Sequence, residues 1–156
     1  MRSMFKLSVL PVFVLLLPAT SAHACSCMGG SPPCQEFGRA AAVFVGTVTG
    51  VTERPRVSVA EARKAADEGD EWAARGFRFA VTQSFLGVAG AEVEVWTGWG
   101  GGDCGYDFEQ GASYLVYAYR LGKSGRLGTG ICSRTRPVAG AAEDLEFLRG
   151  LAGRPP

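Results

Sequence analysis

Two hydrophobic periods share this chain. In "GFRFAVTQSFLG" (76–87) apolar and polar positions alternate: Phe77, Phe79, Val81 and Phe85 point one way, and Arg78, Ala80, Thr82 and Ser84 the other. A period of two marks a half-buried strand. "AEVEVWTG" (91–98) repeats the pattern with Glu92 and Glu94 outward. "AAVFVGTVTGV" (41–51) is rich in β-branched residues and reads as a strand with an irregularity at Gly46. "ASYLVYAYR" (112–120) is a nearly continuous apolar strand, and "GRLGTGIC" (125–132) a shorter one. Helical spacing governs two other stretches. In "RVSVAEARKAADEGDEWAARG" (56–76), Ser58 and Glu61 stand at capping-box spacing ahead of an alanine-rich charged run. In "AAEDLEFLRGL" (141–151), Leu145, Leu148 and Leu151 recur at helical intervals, and Glu143, Asp144 and Glu146 read as a solvated face. Five strands, an inserted helix and a terminal helix, with glycine-rich joints for sharp bends, predict a mainly β fold. A small five-stranded barrel with flanking helices fits better than a sandwich.

The first 24 residues obey neither period. Arg2 and Lys6 precede an apolar run from Val9 to Leu17, interrupted by Pro11, and small residues lead to Ala22-His23-Ala24. A basic start, a short apolar run and an A-x-A site predict a secretory signal peptide over residues 1–24. The run is shorter than the ~20 apolar residues of a membrane span. Cleavage would leave residues 25–156 as a single secreted, periplasmic or extracellular domain starting at Cys25. Acylation of Cys25 is the rival processing, but Ala22 stands where lipoprotein processing usually wants Leu.

Composition then removes several chemistries. Without Arg2 and Lys6 the chain carries fourteen basic and fifteen acidic residues, so nothing electrostatic points to nucleic acid or an anionic membrane. The one histidine, His23, leaves with the signal, which excludes Ser-His and Cys-His catalysis and any His-ligated metal. No enzyme activity and no cofactor is expected. "GGGDCG" (100–105) matches G-x-G-x-x-G, but a strand is expected next and phosphate binding needs a helix N-terminus there, so it reads as a flexible connection. Trp96, Trp99, Tyr106, Tyr114, Tyr117 and Tyr119 could form a stacking platform. Without a basic groove, core packing accounts better for most of them.

Five cysteines remain: Cys25, Cys27, Cys34, Cys104 and Cys132. In an exported chain they read first as disulfides, the odd count leaves one over, and sequence alone does not set the pairing. A redox role for Cys25-x-Cys27 ranks last among the possibilities.

The cysteines also form an ordered series with their neighbours: "CSC" at 25–27, Cys34, "FVGTV" at 44–48, "CGY" at 104–106 and "ICS" at 131–133. This series resembles the N-terminal domain of the tissue inhibitors of metalloproteinases, within the netrin-like modules. The resemblance implies an OB-fold barrel and the pairs Cys25–Cys104 and Cys27–Cys132. Cys34 is left unpaired, because no cysteine follows Cys132. The chain is then a monomer or a Cys34-linked dimer. The resemblance also implies a function: a secreted inhibitor of zinc metalloendopeptidases. The free α-amino group and carbonyl oxygen of Cys25 would chelate the zinc of the partner protease, whose open coordination position takes water or substrate. Ser26 would enter the main specificity pocket. Cys27 and Met28 would continue the inhibitory ridge, with Asp103 and Cys104 beside it. The alternative is a netrin-like binding module that engages a protein or polysaccharide without inhibiting a protease.

Overall fold

Strand β1 (Ala42–Glu53) runs through the centre of the structure and pairs along both edges. The structure is a computed structural model that describes Cys27, residues 30–54, Ser58, Ala60, Glu61, Lys64 and residues 74–152. β1 pairs antiparallel with β2 (Arg75–Leu86) on one side and with β4 (Ser113–Arg120) on the other. β3 (Glu92–Thr97) follows β2, and β5 (Leu127–Gly128) joins β3 in parallel to β4 in antiparallel. The circuit β1-β2-β3-β5-β4 therefore closes on itself. The result is a closed, five-stranded, mixed OB-fold-like barrel with flanking helices. A two-residue strand, β6 (Arg136–Pro137), adds to the edge of β4 opposite β1.

The interior is aromatic. Phe44, Phe77, Phe79, Val95, Tyr114 and Val116 fill it from the strands. Phe108, from the loop before β4, plugs the barrel, with ring centroids 5.0 Å from Phe77, 5.1 Å from Phe79 and 4.9 Å from Tyr114. The strand register slips at three places between β1 and β2, one of them between Val45 and Gly46. A side chain at Gly46 would meet the Ala80 carbonyl at 3.0 Å and the Phe79 Cβ at 3.2 Å, so the crowded irregularity expected there favours glycine. Thr82 is skipped in the register, its hydroxyl donating to the Val45 carbonyl at 3.2 Å, and the slip reverses the facing of the residues beyond it. Phe85 consequently leaves the face of Phe77 and Phe79 and joins the outer apolar layer, contrary to simple alternation.

That outer layer is where the helices sit. β4 is buried from Tyr114 to Ala118 because Tyr114, Val116 and Ala118 point into the barrel while Leu115 and Tyr117 lie beneath helix α2 (Ala142–Ala152). α2 covers them with Leu145 and Leu148, Ala141 just before it joins them, and each buried leucine contributes about 1.5–3 kcal/mol. The helix α1 (Pro33–Arg39) was not legible as a periodic segment. Pro33 at its first position presets the backbone angle, and Phe37 packs edge-on against Phe147 of α2 at 6.2 Å. Buried Glu36 accepts a hydrogen bond from the Tyr119 hydroxyl. In the inserted stretch, Ala60, Glu61 and Lys64 are helical. The capping box forms: the Ser58 N–H and Oγ donate to Glu61 Oε2 at 2.8 and 2.7 Å, and the Glu61 N–H returns to Ser58 Oγ at 3.3 Å. The predicted helix overruns at its far end, since Arg75 and Gly76 already belong to β2.

Candidate functional site

One end of the barrel gathers the cysteine-bearing loops. The first runs from Gly98 to Asp107, and two side chains hold its shape. Arg75, at the start of β2, donates from Nε to the Gly98 carbonyl and from Nη2 to the carbonyls of Trp99 and Tyr106, each at 3.2 Å. Its Nη1 pairs with Asp107 at 2.8 Å. Asp103 closes the loop on itself: its carboxylate accepts N–H bonds from Trp99 (2.6 Å), Gly100 (2.8 Å) and Gly105 (2.9 Å). This geometry presses Cys104 into the left-handed backbone region at φ 57°, which costs a non-glycine residue about 1–2 kcal/mol. Cys104 is disulfide-bonded.

The second loop is an excursion in the fifth strand. β5 and β6 both pair with β4, but residues 129–135 loop out between them. Three hydroxyl side chains replace the lost ladder bonds. The Tyr117 N–H donates to Thr135 Oγ1 at 2.9 Å, and the hydroxyls of Thr129 and Thr135 both donate to the Tyr117 carbonyl, at 2.9 and 3.2 Å. Ser133 Oγ joins them at 3.0 Å from Thr129. Cys132 stands on this excursion and is bonded to Cys27. The two loops touch through the Ile131 N–H, which donates to the Cys104 carbonyl at 2.9 Å. A side chain at Gly130 would sit 2.7 Å from that carbonyl, so the approach requires glycine.

Arg134 ends the excursion and faces inward. Nε and Nη2 donate to Asp144 at 2.5 and 2.8 Å, Nη2 also donates to Glu143 at 2.6 Å, and Nη1 donates to the Ser31 carbonyl at 2.7 Å. The Tyr117 hydroxyl donates to Asp144 as well, at 3.0 Å. Asp144 is 0% exposed, which corrects its reading as part of a solvated helix face; Glu143 and Glu146 do face solvent. The sequence did carry the signal: Asp144 shares the helical stripe of Ala141, Leu148 and Leu151. Hydrogen bonds from Arg134 to Asp144 raise the guanidinium further above its already high pKa. Burial, then the neighbouring Asp144 charge, push the Tyr117 phenol well above its ordinary value. Burial and the bond to Glu36 do the same to Tyr119.

Of the predicted ridge, Cys27 is exposed and tied to Cys132; Cys34, expected to be unpaired, is an exposed free thiol at the start of α1. Asp103 and Cys104 lie on the adjoining loop, but the Asp103 carboxylate is spent on its own backbone. Cys25, Ser26 and Met28, and with them the pairing Cys25–Cys104, lie outside the described residues. The aromatic platform does not form around tryptophan: Trp96 is 7% exposed, with the guanidinium carbons of Arg54 and Arg126 at 4.7 and 4.9 Å from its ring. Trp99 is half-buried near Arg75. Arg75, Arg134 and Asp144 are the organising residues that sequence reasoning missed. Among the described residues no group of three or more His, Cys, Asp or Glu could hold a metal ion, and no helix is long and apolar enough to cross a membrane. The disulfides fit an oxidising compartment. The sequence matches no protein-family model and has no significant match among characterised proteins.

Proposed function

We propose that the chain is an exported inhibitor of zinc metalloendopeptidases, which presents the amine and carbonyl of Cys25 to the protease zinc once the leader is removed after Ala24. The observation that carries this reading is the junction of the two cysteine loops, where the Ile131 N–H meets the Cys104 carbonyl at 2.9 Å. Cys132 on one loop holds Cys27, and Cys104 on the other is itself disulfide-bonded. A segment anchored on such a junction loses little freedom on binding, which is the condition for a short segment to bind tightly. An α-amino group has a reference pKa near 7.7–8, so its neutral, zinc-ligating form is accessible at neutral pH. The amine and carbonyl of one residue close a five-membered chelate in place of the zinc-bound water.

The test is one residue added before Cys25. It turns the amine into an amide, which is no zinc ligand, and fills the open coordination position. Inhibition should vanish while circular dichroism stays unchanged, because the bridges need only the sulfur atoms. A large acidic residue at Ser26 should weaken inhibition less completely, since the chelate survives. Equal inhibition by the native and extended proteins would refute the zinc mechanism. If the native protein inhibits none of a panel of zinc endopeptidases, the binding-module reading replaces it.

A further inference from the structure

We infer that Arg134 is the positioning residue of the N-terminal cysteine segment; its consequence for inhibition rests on the function proposed above. Cys27 reaches the excursion through Cys132. Four residues later, the Ser31 carbonyl reaches the same excursion through Arg134 Nη1 at 2.7 Å. A disulfide alone leaves the attached segment free to swing about its single bonds. A second attachment, to a residue two places from the first on the same loop, removes that swing.

The guanidinium is suited to the task because it is itself immobile. Its side chain is 11% exposed, and it donates from Nε and Nη2 to Asp144, whose side chain is fully buried in α2. Tyr117 of β4 donates to the same carboxylate. Arg136 stands further off, with its Nε 3.8 Å from Asp144. The planar fork therefore refers the position of Ser31 to α2 and to the barrel wall at once. A lysine gathers its donors on one nitrogen and does not reproduce the spacing of the fork, in which Nη1 reaches Ser31 while Nε and Nη2 reach Asp144. Glu143 is 71% exposed and should contribute little to the fixing, as solvent-exposed pairs do.

The experiment compares the exported protein with Arg134→Lys and Glu143→Gln. Amide hydrogen exchange is followed by mass spectrometry in a peptide covering residues 26–35 and in peptides from β1 and β4, beside inhibition of a zinc endopeptidase. Arg134→Lys should raise exchange in the N-terminal peptide about tenfold, leave β1 and β4 unchanged, and weaken inhibition about tenfold through lost pre-organisation. Glu143→Gln should change neither. Exchange at the wild-type rate in the N-terminal peptide of Arg134→Lys overturns the inference, and so does an equal rise in all three peptides, which marks general destabilisation. If Arg134→Lys does not fold, Asp144→Asn takes its place: it keeps an acceptor for Tyr117 but loosens the fork, and the same two outcomes decide. Should the native protein inhibit no protease, the inhibitor reading falls while the exchange result still decides the role of Arg134.

Discussion

Asp144 is the residue whose environment departs furthest from its sequence context. A carboxylate in the apolar stripe of a helix would be costly alone, and the Arg134 fork and the Tyr117 hydroxyl make it tenable. Burial, joined by Asp144 at Tyr117 and by Glu36 at Tyr119, shifts the phenols, and this gives a pH dependence at the residue scale. Tyr106, Tyr117 and Tyr119 are all raised above the ordinary tyrosine value, with burial as the leading cause in each. The fold thus favours the neutral phenol. The stability they contribute is complete below the unfolded value of about 10, and it is lost as pH rises from there toward the folded values. Phenolate absorbance should show these three tyrosines ionising later in the native protein than in urea, with unfolding setting in above about pH 10. Tyr117→Phe should remove one delayed step. Titration of every tyrosine near its ordinary value in the native protein would contradict this account.

Among the elements, the loop-borne Phe108 bears more of the barrel than its position in the chain suggests. It is 6% exposed and touches Phe77, Phe79, Tyr106 and Tyr114. Phe108→Ala should cost about 3–5 kcal/mol in denaturant unfolding, the range for emptying a buried aromatic site. A loss below about 1 kcal/mol would show that the barrel closes without its plug. The four longer strands were legible in the sequence, because alternation such as Phe77-Arg78-Phe79 reports burial on one face directly, whereas the strand expected over 125–132 is cut to Leu127–Gly128 by the excursion that carries Cys132. The capping box of Ser58 and Glu61 was legible too, being a local bond pattern. Other features were not. α1 has seven residues, too few to establish a period, and it is fixed by Glu36 and Phe37 meeting distant partners. The facing of Phe85 depends on a slip against β1, which only the pairing of two strands defines. The candidate site lay between these cases. Its cysteines were visible as a series, whereas Arg75 acts mainly on backbone carbonyls, which carry no residue-type signal, and Arg134 meets Asp144 only through the packing of α2.

For the whole molecule, the bridge from Cys27 to Cys132 spans 105 residues and so encloses the barrel strands β1 to β5. In the chain-entropy account a loop of that length is worth about 4.7 kcal/mol, as an upper guide. Joint replacement of Cys27 and Cys132 by serine should lower unfolding stability by about 2–5 kcal/mol while the native circular dichroism persists. An unchanged denaturation midpoint would mean that the unfolded chain is already restricted by other means.

The same bridge decides how the molecule would bear a mechanical load. Tension applied at Cys27 enters the chain covalently at Cys132, so the barrel strands between the two cysteines lie outside the covalent path of the load. Opening this bridge together with the disulfide at Cys104 would release the 105 shielded residues, about 350 Å of slack at the reach of an extended chain. A partner gripping the N-terminal segment therefore pulls on a short, stiff strap, and a reductant turns that strap into a long, slack one.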